Sequence, residues 1–320
     1  PLDRGAIRAA AIGSIVLLTL INCLGVRLGA WVQNVLTALK LGALLAIGVL
    51  AFALPGGGVE HFAPMWSGGS VGQLVGPFAL AMVSALWAYD GWIEITYVGS
   101  EVRDPQRVIP RSIVLSVLVV TGLFLLVNIA YLYLLSPVNA ARSGLIAADA
   151  ARVVLGPAAV TLTVVAILVA TLGANNGIVL TSARIPYAMA RNGEFFRWAG
   201  SVHPRFRTPV AALLAQAVLA CVFTLSGTYN QLITYVVFTS FLFYGMSAAG
   251  VIVLRRRRPD LPRPYRTWGY PVTPVLFVAA AAAFMVGTIV EAPREAAVGA
   301  GIVLAGVPAF WLWKGRVRSG

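Results

Sequence analysis

The chain has 320 residues, 59% of them hydrophobic and 11% charged, with a formal net charge of +13. Its mean hydropathy of +0.85 excludes an ordinary soluble domain, in which about a quarter of the residues are charged. Apolar runs long enough to cross a hydrocarbon core of about 30 Å make it an all-α polytopic membrane protein, whereas a β-barrel would alternate in short segments.

Nine spans are predicted in chain order, at 9–26, 34–54, 76–98, 112–135, 157–183, 209–226, 231–254, 272–290 and 296–313. The segments between them carry turn and breaker residues, as in PGGGVEHFAPMWSGGS and RRRRPDLPRPYRTWGYP. Lysine and arginine distribute unevenly over these segments. Eighteen fall on one side of the expected membrane, five on the other, and Lys40 lies within a span. The positive-inside rule assigns the eighteen to the cytoplasm, so the chain starts outside and its C-terminus is cytoplasmic. Because the arginines sit between spans, the positive charge is a topology signal and no nucleic-acid partner is expected. The chain opens on Pro1, and its first span follows with no basic n-region, so no signal peptide is expected. An odd span count from an outside start is the pattern expected if N-terminal spans are missing.

The first two spans contain Cys23 and Lys40. Cys23, like Cys221 later, falls inside a span and reads as a small buried hydrophobe, not part of a disulfide framework. Lys40 sits about two turns into its predicted span. Its ammonium either snorkels to the interface or faces the protein interior, where it replaces a cation.

The third span holds WAYDGWIE, residues 87–94, with two acids inside an apolar run. An ionisable residue at mid-membrane costs about 2.5–3.5 kcal/mol on insertion scales and is a functional candidate for that reason. Gly91 lets the backbone turn, so 76–98 is expected to form two half-helices with a break near 88–91. Such breaks line midplane sites in secondary transporters. Asp90 belongs to the break. Glu94 lies one turn further on, where bracing a neighbouring helix is an equal alternative.

Later spans carry weaker signals. GANNGIVLTSAR, residues 173–184, groups small and polar residues that favour close helix packing, with Asn176 a candidate for the cavity. Phe238, Phe241 and Tyr244 recur at helical spacing, as packing residues or a substrate lid. Trp311 and Trp313 beside Lys314 read as an interfacial belt. His61 and His203 are isolated loop residues without metal-ligand spacing, so no metal and no cofactor is expected. No phosphate-loop, GxSxG or HExxH pattern occurs, and a membrane enzyme has no support.

The stretch LWAYDGWIEITYVGSEVRDPQRVIPRSI resembles the sixth span and following loop of the amino acid–polyamine–organocation superfamily. It is similar in particular to the L-type amino acid transporter branch. WVQNVLTALKLGALLAIGVLA resembles that branch's fifth span, LGANNGIVLTSARIPYAMARNGEFF its eighth span and loop, and VLRRRRPDLPRPYR the loop after its tenth. The resemblance implies an inverted-repeat (LeuT-like) transporter fold lacking its first three spans. Residues 1–320 would form a single transmembrane domain, with 1–54 ending the first repeat, 76–254 forming the second and 272–313 adding two C-terminal spans. It implies a multi-pass protein of the cell membrane that carries amino acids by alternating access, with sodium-independent exchange or proton coupling. Trp87, Ala88, Tyr89, Asp90, Gly91 and Phe241 would bind substrate, with Trp87 as an aromatic gate. Lys40 and Asn176 would stand at the position of a coupling ion, and Glu94, Glu101 and Arg184 would gate or brace. Ile93 departs from a polar residue that some members carry. The alternatives are a carrier of polyamines or other organic cations and a membrane sensor or scaffold that does not transport. The bilayer and a small-molecule substrate are the implied partners, and an accessory subunit is not specified.

Overall fold

A computed structural model describes residues 3–63, 78, 81–82, 85–226 and 229–317. Every regular element among them is helical. The long helices are α1 (Arg4–Cys23), α2 (Val26–Ala53), α4 (Pro105–Leu134), α7 (Ala158–Ser182), α9 (Val210–Ser226), α10 (Tyr229–Arg257), α11 (Val272–Glu291) and α12 (Pro293–Val317). Between them lie the short α3 (Glu94–Tyr97), α5 (Pro137–Arg142), α6 (Ile146–Leu155) and α8 (Arg184–Arg191). Six helical stretches are long and apolar enough to cross a membrane, and their most apolar windows are only 11–22% buried. Leu, Val and Phe side chains such as Leu115, Leu118, Leu168 and Val218 point outward instead of inward. This is the surface of a protein solvated by acyl chains.

Helix ends follow local chemistry. The Asp3 carboxylate accepts from the Gly5 and Ala6 amides and caps α1. Gly25, at φ 152°, separates α1 from α2. The second helix therefore begins at Val26, eight residues before the expected start at 34. The fourth begins at Pro105, where a proline costs no hydrogen bond, and runs through Pro110. The helix thus starts seven residues before the expected 112, and Pro110 sits close enough to its N-terminus to be absorbed. The predicted span 76–98 begins on residues outside those described, as do residues 64–70 of the preceding loop and the side chains of Trp313 and Lys314.

Interior contacts use small residues. Ala51, Ala130, Leu134 and Ala150 bring α2, α4 and α6 together, and Cys23, Ala183, Ala212 and Leu213 join α1 to α9 and the α7–α8 corner. Lipid tails are as apolar as the side chains, so close approach and hydrogen bonding hold such helices. Along α2, Gly48 packs on Leu126, while Leu36 covers Gly173 of α7. The Thr208 hydroxyl, just before α9, donates to the Cys23 carbonyl at 2.8 Å and fixes the end of α1.

Candidate functional site

The helix preceding α3 is interrupted. Residues 85–88 are helical, 89–93 form a turn, and the helix resumes at Glu94. The Asp90 amide donates to the Trp87 carbonyl at 3.1 Å and the Glu94 amide to the Gly91 carbonyl at 3.2 Å, so the pairing is that of consecutive turns. Gly91 sits at φ 100° with open space where a Cβ would lie. The left-handed backbone, not crowding, requires glycine there.

Each side of the turn is held by a different helix. Asp90 Oδ1 accepts from the Tyr244 hydroxyl of α10 at 2.9 Å. Among the described residues its second oxygen has no hydrogen-bond partner. Aromatic rings adjoin it. Trp92 and Tyr244 lie 5.7 Å apart, Trp92 meets Phe277 of α11 at 6.4 Å, and Tyr244 meets Phe241 at 5.9 Å. Phe241 stacks on Phe284 at 4.3 Å, which makes it part of the α10–α11 seam. Tyr89 packs edge-on against Phe124 of α4 at 5.2 Å. Trp87, Ala88 and Gly91 are exposed in the described structure, and Tyr89 and Asp90 are half-buried.

Beyond the turn the partners change. Glu94 Oε2 accepts from the Thr181 hydroxyl of α7 at 3.3 Å. Glu101 forms a two-point ion pair with Arg184, Nε to Oε1 at 2.9 Å and Nη2 to Oε2 at 3.3 Å. Arg184 Nη1 also donates to the Leu180 carbonyl. The arginine is buried at the α7–α8 corner while the glutamate is partly exposed. The fork geometry of guanidinium on carboxylate fixes orientation as well as distance.

Asn176 is elsewhere. It is fully buried between α1, α2 and α7. Its Nδ2 donates to the Gly29 carbonyl at 3.2 Å and to Gln33 Oε1 at 3.0 Å, and its Oδ1 accepts from Asn22 at 2.8 Å. Both amide hydrogens are used inside the protein, so this side chain clamps three helices. Among the described residues Asn22 Oδ1 has no hydrogen-bond partner, and it occupies the space a Cβ on Gly29 would need.

Lys40 lies on the same row of α2 as Gly29, Gln33 and Leu36, the row that packs on α7. With the helix beginning at Val26 and ending at Ala53, Lys40 is about 20 Å from either end. This places Lys40 near the middle of α2. Lys40 is half-buried and has no acid within ion-pair distance among the described residues.

Sequence reasoning missed Tyr244 as the partner of Asp90, Thr181 as that of Glu94, and Asn22 and Gln33 as those of Asn176. A usable signal existed for each, since a polar side chain inside an apolar helix needs a hydrogen-bond partner. The histidines brace loops. His61 Nδ1 lies 2.7 Å from the Tyr133 carbonyl, and His203 Nδ1 accepts from the Arg205 and Phe206 amides.

Relatives share this sequence over most of its length. The chain is 36% identical over 264 residues to the mouse b(0,+)-type amino acid transporter 1, covering 81% of this chain and 53% of that protein. It is 32% identical to the human b(0,+)-type amino acid transporter 1, over 90% of this chain and 58% of that one. It is 31% identical to the human large neutral amino acids transporter small subunit 2, over 98% of this chain and 58% of the other. The chain thus spans a little over half the length of these relatives. The profile described as amino acid permease matches residues 4–312, and the chain belongs to the amino acid permease family.

Proposed function

We propose that this chain belongs to a secondary transporter that carries amino acids across the cell membrane by alternating access. The observation that carries this reading is the interrupted helix at 89–93, with Asp90 held by Tyr244 on one oxygen and open on the other. A turn inside an apolar helix exposes amides and carbonyls that lipid cannot satisfy, and such turns persist where they meet a wet cavity. The open carboxylate oxygen suits an ammonium, and the adjoining rings of Trp92 and Tyr244 favour a cation through their faces. Trp87, Ala88, Tyr89, Asp90 and Gly91 bind the substrate in this reading, with Phe241 behind Tyr244.

Lys40 supplies a fixed positive charge on the α2–α7 row, so transport is sodium-independent, by exchange or proton coupling. Glu101 and Arg184 latch the segment after the turn. Asn176 acts through the packing of α2 on α7. Residues 76–254 form the second inverted repeat, and the C-terminus lies in the cytoplasm. A carrier of polyamines is the second reading, favoured by the same open oxygen of Asp90.

The test uses the full-length protein in proteoliposomes. Labelled uptake is competed by a panel of amino acids and of diamines, with and without sodium. Competition by amino acids, and its loss in Asp90→Asn with protein levels unchanged, is the expected result. Competition by diamines alone selects the second reading. Undiminished uptake of every amino acid by Asp90→Asn overturns the assignment of Asp90.

A further inference from the structure

The segment that ends α10 and leads into α11 is the most basic in the chain. Arg255, Arg256, Arg257, Arg258, Arg263 and Arg266 fall within it, and Asp260 is the sole acid between Glu194 and Glu291. Three of the six arginines are committed to the protein itself. Arg263 Nη1 donates to the Pro259 and Leu261 carbonyls at 2.9 and 2.8 Å. Its Nη2 reaches the Leu254 and Arg258 carbonyls at 3.3 and 2.6 Å, which closes the C-terminus of α10. Arg255 lies 3.9 Å above the Tyr270 ring, and Arg258 is 3.6 Å from Asp260. Arg256, Arg257 and Arg266 are exposed and have no acid within ion-pair distance among the described residues. The position of Arg256 and Arg257 is set by the helix, and Arg266 follows in the loop. The apolar stretch Tyr235–Arg257 has 23 residues, roughly 34 Å of α-helix, which matches a hydrocarbon core of about 30 Å. Its terminal arginines therefore stand at the level of lipid phosphates. The loop also presents Tyr265 and Trp268, 47% and 75% exposed, the aromatic types that settle in the headgroup layer.

We infer that Arg256, Arg257 and Arg266 form a binding site for the phosphate headgroup of an anionic phospholipid at the end of α10. Arg263 and Tyr270 pre-order it by closing the helix and holding Arg255 aside. The site is independent of the substrate reading, and it does not depend on which leaflet this end of the helix faces.

The full-length protein in detergent is titrated with phosphatidylglycerol or with phosphatidylcholine, and the apparent Kd of the first retained lipid is read by native mass spectrometry. Phosphatidylglycerol is expected to bind more tightly. The pair Arg256→Gln and Arg257→Gln should weaken it by roughly 25-fold, at about fivefold for each arginine near a charged lipid surface. Arg256→Lys with Arg257→Lys keeps the charge and should keep the binding, which separates lipid recognition from a folding defect. Arg103→Gln with Arg107→Gln removes the same charge around the start of α4, beside the acids Glu101 and Asp104, and should leave binding unchanged. Equal affinity for phosphatidylcholine, or an equal loss in the Arg103 and Arg107 variant, overturns the site.

Discussion

Replacing Gly29 by alanine tests the clamp between α1, α2 and α7. A methyl on Gly29 would lie 2.3 Å from Asn22 Oδ1 and 3.1 Å from its Cγ, so the Asn22 amide must move. That amide is held by two hydrogen bonds, Nδ2 to the Leu18 carbonyl at 2.9 Å and to Asn176 Oδ1 at 2.8 Å. Each is worth about 0.6–1.5 kcal/mol inside a membrane helix bundle, and overpacking adds about 1–3 kcal/mol. Alanine recovers up to about 1 kcal/mol of helix propensity over glycine. The net destabilisation is therefore about 1–3 kcal/mol. In an Asn22→Ala background the clashing atoms are gone. The next neighbour of the new methyl is then Leu180 Cδ1 at 3.4 Å, an ordinary contact. There Gly29→Ala should be neutral or stabilising, so the two substitutions couple by about 2 kcal/mol. Unfolding of the full-length protein in mixed micelles, compared for both single variants and the double, measures this. Additive penalties would refute the clamp.

Tyr244→Phe keeps the ring contacts with Trp92 and Phe241 and removes only the hydroxyl that Asp90 accepts from. It should lower labelled amino acid uptake at a stability cost of about 1 kcal/mol, and the double variant with Asp90→Asn should be no worse than Asp90→Asn alone. Glu101→Ala should destabilise by about 2 kcal/mol, because it strands the buried guanidinium of Arg184. Arg184→Met should cost less in the same thermal melt, because it leaves a carboxylate already 41% exposed. Lys40→Met should raise the unfolding free energy by about 1–3 kcal/mol, because it removes a mid-membrane charge, while uptake falls. A stability gain with uptake intact would remove Lys40 from the transport cycle.

The long apolar helices were legible because hydropathy alone decides them, and the interruption at Gly91 because acids and glycine interrupt an apolar run. Boundaries were less so. Gly25 and Pro110 are both breakers in isolation, but the chain turns only at Gly25, because a proline near a helix N-terminus loses little. Residue Asn176 shows what was hidden. Its position among small residues marked a close helix contact. Its partners Asn22 and Gln33 lie 154 and 143 residues away, and no local pattern encodes such pairings. Tyr244 stood in an aromatic set whose spacing fits packing, and its hydroxyl found Asp90 across the same distance of 154 residues.

The turn at 89–93 is pinned from two sides. The turn itself is tied to α10 through Asp90 and Tyr244, and the segment that follows it to α7 and α8 through Glu94 and Glu101. A short chain fixed at both ends to separate bodies behaves as a strain gauge, since relative displacement of those bodies becomes torsion in its middle. The middle here is Gly91, the residue with the widest range of torsion angles and with free volume around it. A rocking of α10 against α7 would thus rotate the peptide groups of Tyr89 to Gly91 before it disturbed either anchor, and movement of whole helices would re-aim a few backbone dipoles.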